Sequence, residues 1–184
     1  MLSAKSKKTG LGAIALKPRP VLAVAANDAV KEYAFLGMVR IQALKMDGQL
    51  LQQLTDKLGA LPEPGNLKQH QDWRIHWLTP VEYLVVVEEG GEQKVMELLA
   101  DLPLYVSVIS DSRVTICVCG EHVPDLLAER CALDLHPDVF LVGCSTVTRM
   151  AGLPVMVSRM DRYSYEVTTD RSYGHYLWDW LGCI

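Results

Sequence analysis

From residue 34 onward the chain switches repeatedly between two hydrophobic periods, in an order that few folds can absorb. "YAFLGMVRIQAL" reads as a strand, and "DGQLLQQLTDKLG" follows it as a helix. Asp47 stands at the N-cap, Leu50, Leu51, Leu54 and Leu58 share one face, and Gly59 is the stop. "LPEPGN" is a loop by its proline and glycine content. "DWRIHWL" then alternates Trp73, Ile75 and Trp77 against Arg74 and His76, the period of a half-buried strand. Thr79-Pro80 turns the chain into "EYLVVVEE", which Gly90-Gly91 ends. "EQKVMELLADL" places Val95, Met96, Leu98, Leu99 and Leu102 at helical spacing before "LYVSVIS" alternates again. The first half is therefore β-α-β-β-α-β.

The second half repeats the scheme: strand "RVTICVC", helix "PDLLAERCAL" with Pro124 in its first turn, strands "CSTVTRMAG", "PVMVSRM" and "YSYEVTT", and a helix after Asp170. Two tandem split β-α-β units are implied, about 31–110 and 111–184, in one α+β domain. The short links favour largely antiparallel sheets with helices packed on one side. No G-x-G-x-x-G follows a strand and no G-x-x-x-x-G-K-[ST] occurs, so neither a dinucleotide nor a nucleoside triphosphate has its usual cradle.

Residues 1–30 differ from the rest. Lys5, Lys7 and Lys8 precede small apolar residues that Lys17, Pro18, Arg19 and Pro20 interrupt. The apolar run from Leu11 to Leu16 is shorter than a secretory h-region, which argues against export. Two readings stand: a disordered tail, or an extended arm whose Pro18 and Pro20 stiffen it for lying along a partner. No stretch reaches the roughly 20 apolar residues of a membrane span. A net charge of −4 without a basic stripe excludes a nucleic-acid surface. Five irregularly spaced cysteines point to reduced thiols in a cytoplasmic protein.

Candidate chemistry is sparse. Cys117 and Cys119, with His122 following, offer soft metal ligands, but thiols two apart on a strand share one face and read first as core. His136 before Pro137 suits a loop bend, since no serine or cysteine has the spacing of a nucleophile it would serve. Tyr163, Tyr165 and Glu166 would suit a stacked, hydrogen-bonded ligand, although alternation accounts for the tyrosines as one face of a strand. In "SYGHYLWDWL" a helix counted from Tyr173 gathers Tyr176, Leu177, Trp180 and Leu181 on one stripe. That assigns Trp180 to the core and leaves Trp178 on the flank beside His175. Trp178 then either anchors a partner interface or covers the edge of the chain's own sheet.

The run "DSRVTICVCGEHVPDLLAERCALDLHPDVF", with "GCSTVTRMAGLPVMVSRMDRYSYEV" and "DRSYGHYLWDWL", resembles the gamma subunit of heterotetrameric sarcosine oxidase over most of residues 80 to 181. Its most specific parts are the segment Cys131 to Pro137, the segment Thr148 to Pro154, and Arg171-Ser-Tyr with Tyr176 to Trp180. More distantly the layout is similar to the folate-binding fold of glycine-cleavage aminomethyltransferases, whose Arg and Tyr-Glu strands match Arg159 and Tyr165-Glu166. The resemblance implies a subunit without a cofactor, a reduced copy of the folate domain. It would be packed among alpha, beta and delta subunits that carry FAD, FMN, NAD, zinc and tetrahydrofolate. That complex demethylates sarcosine, or a related N-methyl amino acid, passing the one-carbon unit to tetrahydrofolate and electrons to oxygen.

Departures bear on catalysis. "QDWRIHWLTPVE" lacks the Gly- and Asp-bearing turn of the aminomethyltransferase pattern, for which Asp72 is no substitute, and "SRMDRYSYE" replaces the turn that grips a pterin. A folate-type scaffold without its site is expected, with no catalytic, cofactor or metal residue in this chain. The alternatives are a folate-dependent aminomethyltransferase-like or folate-binding protein acting on its own, and a metal or redox protein using Cys117, Cys119 and His122.

Overall fold

The alternating strands build two separate five-stranded sheets. The computed structural model describes residues 30–32, 36–128 and 131–182. Its strands are β1 (Val30–Glu32), β2 (Leu36–Gln42), β3 (Leu67–Gln69), β4 (Trp73–Thr79), β5 (Glu82–Glu88), β6 (Tyr105–Val108), β7 (Arg113–Cys119), β8 (Ser145–Met150), β9 (Leu153–Asp161) and β10 (Ser164–Asp170). The helices are α1 (Gly48–Leu58), α2 (Glu92–Leu99), α3 (Val123–Ala128) and α4 (Gly174–Gly182). Strand order is β3-β4-β5-β2-β6 in one sheet and β1-β7-β10-β9-β8 in the other, and the paired strands run antiparallel.

Residue parity assigns each face. In the first sheet Val39, Ile41, Ile75, Tyr83, Val85 and Val87 meet Leu50, Leu54 and Leu58 of α1 and Val95 and Leu99 of α2. In the second, Val114, Ile116, Val118, Val157, Tyr165 and Val167 meet Leu127 of α3 and Leu177, Trp178 and Leu181 of α4. The opposite faces turn toward each other, with Met38, Leu84 and Val86 closing on Met156 of β9. The layers therefore run helices, sheet, sheet, helices.

Local signals explain the first half. Asp47 caps α1 by accepting from the Leu50 amide (3.0 Å), and Gly59 ends it at φ +88°, a conformation that glycine adopts without a Cβ clash. Gly37 answers a different need. A Cβ there would come within 2.6 Å of Val87 Cγ2 and 2.7 Å of Glu92 Cδ, where α2 begins against β2.

Two short strands escaped the sequence pattern. β3 is three residues after a loop, and β1, also three residues, opens at Val30, a position the sequence assigns to the arm. β1 pairs with β7, joining the sheet of the second half from the front of the chain. The rest of the arm, with Pro18 and Pro20, lies outside the described residues.

Candidate functional site

The polar positions of β4 face the other sheet, not water. Ile75 is fully buried on the helix side, yet His76 is equally buried and Arg74 nearly so, because the seam between the sheets covers them. Buried polar groups need partners, and most here find them. Both Nη atoms of Arg74 donate to the two carboxylate oxygens of Glu166 on β10, Nη1 at 2.8 Å to Oε1. Burial pushes the Glu166 carboxyl above the usual glutamate value, while the Arg74 guanidinium and its hydrogen bonds pull the other way. His76 Nδ1 meets Ser145 Oγ at 2.8 Å, and Ser145 Oγ meets Ser158 Oγ at 2.8 Å. Burial, with Arg74 adjacent, lowers His76 to about 3, so the ring is neutral at any physiological pH.

Thr115 and Thr168 join hydroxyls across β7 and β10 at 2.8 Å. Cys117 and Cys119 share the seam face, their sulfurs 3.2 Å apart, with Ser164 Oγ 3.4 Å from Cys119. Burial pushes the Cys117 thiol up to about 11, which makes it a poor thiolate. His122 is exposed at the strand's far end, and among the described residues no three metal-ligating side chains converge. Ser145 with His76 is a serine–histidine pair by distance alone. Both are fully buried, which closes them to a substrate.

On the helix side of the second sheet, Arg159 is a buried cation that bonds only carbonyls. It donates to the backbone oxygens of Phe140 (2.7 Å), Arg162 (2.9 Å), Pro137 (3.3 Å) and Asp161 (3.4 Å), and its guanidinium lies 5.7 Å from the Tyr165 ring centre. His136 performs the expected bend: its carbonyl accepts from Val139 and Phe140 (both 2.9 Å) and its Nδ1 from the Asp138 amide (3.3 Å). Tyr163 is half-buried under Arg162 at 5.0 Å. Asp72 is exposed and tied to Lys94 at 2.6 Å. A cleft of about 260 Å³ opens between the sheets, lined by Arg40, Glu82, Arg113 and Met156. Its guanidiniums are paired, Arg40 with Glu82 and Arg113 with Asp170 at 3.6 Å.

The C-terminal helix corrects the sequence. Trp178 is 9 % exposed within the chain's own core, whereas Trp180 is only partly buried and Tyr173 and Tyr176 are 43 % and 53 % exposed. The cause is the origin of the count. Arg171–Tyr173 is a 3-10 turn, capped by Asp170 accepting from Ser172 N at 3.0 Å, so the α-helix starts at Gly174. From there Gly174, Leu177, Trp178 and Leu181 fall at i, i+3, i+4 and i+7. His175 points outward, and Tyr176 Oη reaches the Ala151 carbonyl at 3.3 Å.

The sequence missed Arg74 as the partner of Glu166, the His76–Ser145–Ser158 chain and the Arg159 clamp. The available signal was Arg74-x-His76, two polar residues with hydrogen-bonding heads on one face of a strand otherwise apolar.

Residues 54–183 match the family described as Sarcosine oxidase, gamma subunit family. The chain belongs to that family. The sarcosine oxidase subunit gamma of Corynebacterium sp. (strain P-1) is 27 % identical over 157 residues, 83 % of this chain and 77 % of that one. The subunit gamma of Arthrobacter sp. is 29 % identical over 109 residues, 58 % of this chain and 54 % of the relative. Among solved structures, heterotetrameric sarcosine oxidase from Corynebacterium sp. U-96, in complex with pyrrole 2-carboxylate, superposes with TM-score 0.75 at 24 % identity, covering 84 % of this chain and 81 % of that chain. Glycine cleavage system aminomethyltransferase T from Bartonella henselae superposes with TM-score 0.63 at 12 % identity, covering 83 % and 44 %. The fold is thus the mixed α+β arrangement shared with both.

Proposed function

We propose that this chain is the accessory gamma subunit of a heterotetrameric flavoenzyme that oxidatively demethylates sarcosine, or a related N-methyl amino acid, with the one-carbon unit passing to tetrahydrofolate. It works by assembly. Alpha, beta and delta subunits are its partners, and FAD, FMN, NAD, zinc and tetrahydrofolate belong to them, in the cytoplasm.

One observation supports this reading beyond family membership. The side chains that correspond to folate-gripping strands are engaged within the chain: Glu166 is held by both Arg74 nitrogens, and Arg159 is spread over four carbonyls. Freeing Glu166 for a pterin would strand Arg74 in the seam, at a cost of several kcal/mol.

The test is coexpression of the full chain with the larger subunits of a sarcosine oxidase-type complex, with purification through a tag on one of those subunits. Copurification at equal stoichiometry is expected, while the chain purified alone is colourless and takes up no tetrahydrofolate on equilibrium dialysis. A stoichiometric flavin spectrum, or saturable folate binding by the isolated chain, overturns the proposal.

A further inference from the structure

We propose that the loop from His136 to Gly143 is the point at which this chain seats in a larger subunit, its occupant an apolar hollow rimmed by lysine or arginine side chains of that subunit. This rests on the subunit reading above and names the surface it uses.

Three of four consecutive residues at the loop's tip, Val139, Leu141 and Val142, are large aliphatics exposed by 60 %, 56 % and 57 %. Between them Phe140 turns inward at 5 % exposure and roots the loop in the core near Leu135. A loop that merely connects α3 to β8 has no use for such a tip, since burying apolar surface is what makes it favourable.

The backbone beneath is braced from several sides. Arg159 Nη1 donates to the Phe140 carbonyl at 2.7 Å, Gly143 N to the Arg159 carbonyl at 2.9 Å, and Cys144 N to the Leu141 carbonyl at 2.9 Å. Leu67 N of β3, in the other sheet, donates to the Gly143 carbonyl, and Ser145 N donates back to the Gly65 carbonyl just before β3, both at 2.8 Å. A tip held this way loses little conformational entropy on docking.

Charge states what the partner must offer. Residues 131–148 contain Asp134 and Asp138 but no lysine or arginine, and the Asp138 side chain is 89 % exposed. An apolar hollow with a basic rim is the complement. Two other occupants of similar chemistry exist: a second copy of the chain, and residues 1–29, which carry Lys5, Lys7, Lys8, Lys17 and Arg19. The latter enter the described chain at Val30, in the cross-strand row Val30, Val118, Tyr165, Arg159.

The experiment compares the wild-type chain, Leu141→Ser/Val142→Ser and Asp134→Asn/Asp138→Asn, each coexpressed with the larger subunits and titrated for dissociation. The serine variant should melt like wild type when isolated yet hold the complex at least tenfold more weakly. The asparagine variant should lose severalfold at low salt and nothing at high salt. A serine variant that assembles like wild type overturns the inference and leaves the subunit reading intact, whereas a wild-type chain that never joins the larger subunits removes both. A concentration-dependent dimer of the isolated chain that the serine variant abolishes assigns the tip to a second copy. Faster amide exchange at 139–143 after removal of residues 1–26 assigns it to the chain's own beginning. Either result overturns the proposal.

Discussion

At the scale of single residues, burial decides roles that residue type leaves open. His76 is neutral in the folded chain down to about pH 3, while an unfolded histidine titrates near 6.5. As pH falls through that interval the unfolded state binds a proton that the folded state refuses, so stability is lost on acidification by about 1.4 kcal/mol per pH unit. His76→Asn keeps an amide near Ser145 but cannot titrate. Its stability measured by denaturant between about pH 6 and pH 4 should therefore fall less steeply than wild type; equal slopes would mean that water reaches the ring. Glu166 acts in the opposite sense but is common to both proteins and cancels from the difference. The tryptophans separate just as plainly. Trp178→Ala should cost about 3–5 kcal/mol of chain stability as a core truncation, and Trp180→Ala clearly less, in thermal unfolding of the isolated chain. Gly37→Ala should cost about 1–3 kcal/mol, because its Cβ would come within 2.6 Å of Cγ2 of the buried Val87 and 3.0 Å of the Glu88 carbonyl, which must shift to admit it.

At the scale of elements, β4 shows both how far sequence pattern reaches and where it stops. Period two is legible in "DWRIHWL" because backbone geometry forces it, and the helix α1 is legible because Asp47 and Gly59 act within a few residues of their own position. What lies over the polar side of β4 depends on β8, β9 and β10, some 70 to 90 residues onward, and no local signal encodes it. The same holds for α4, whose buried stripe was displaced by one 3-10 turn that shifted the helical origin from Tyr173 to Gly174. β1 and β3 are too short to display a period. The Arg74–Glu166 pair gives the seam a testable signature. Arg74→Met leaves an unpaired carboxylate and Glu166→Leu an unpaired guanidinium, so each alone should cost about 3–5 kcal/mol. The double variant should recover most of that loss. Additive losses in the cycle would show that the two side chains do not interact.

At the scale of the whole molecule, the chain's front belongs with its back: β1 completes the sheet of β7 to β10, and Val30 is buried beside Val118 in the core under α3 and α4. Cutting into β1 would therefore test folding, whereas cutting before it tests assembly. The residues before Val30 are a poor source of core. Their apolar positions are broken by Lys17-Pro18-Arg19-Pro20, and their five basic side chains are unlike the acidic balance of the remainder. Deleting residues 1–26 should accordingly shift the melting temperature of the isolated chain by no more than about 2 °C. If the segment lies along a partner, the same deletion should weaken copurification with the larger subunits at least tenfold. The two readouts are independent, which makes the pairing informative: a large drop in melting temperature would show that the segment packs on its own chain, and undiminished assembly would show that it has no partner to lie on. His175, outward on α4, supplies the control on another face, because His175→Ala should leave the melting temperature unchanged and reduce assembly only if that helix also faces a subunit.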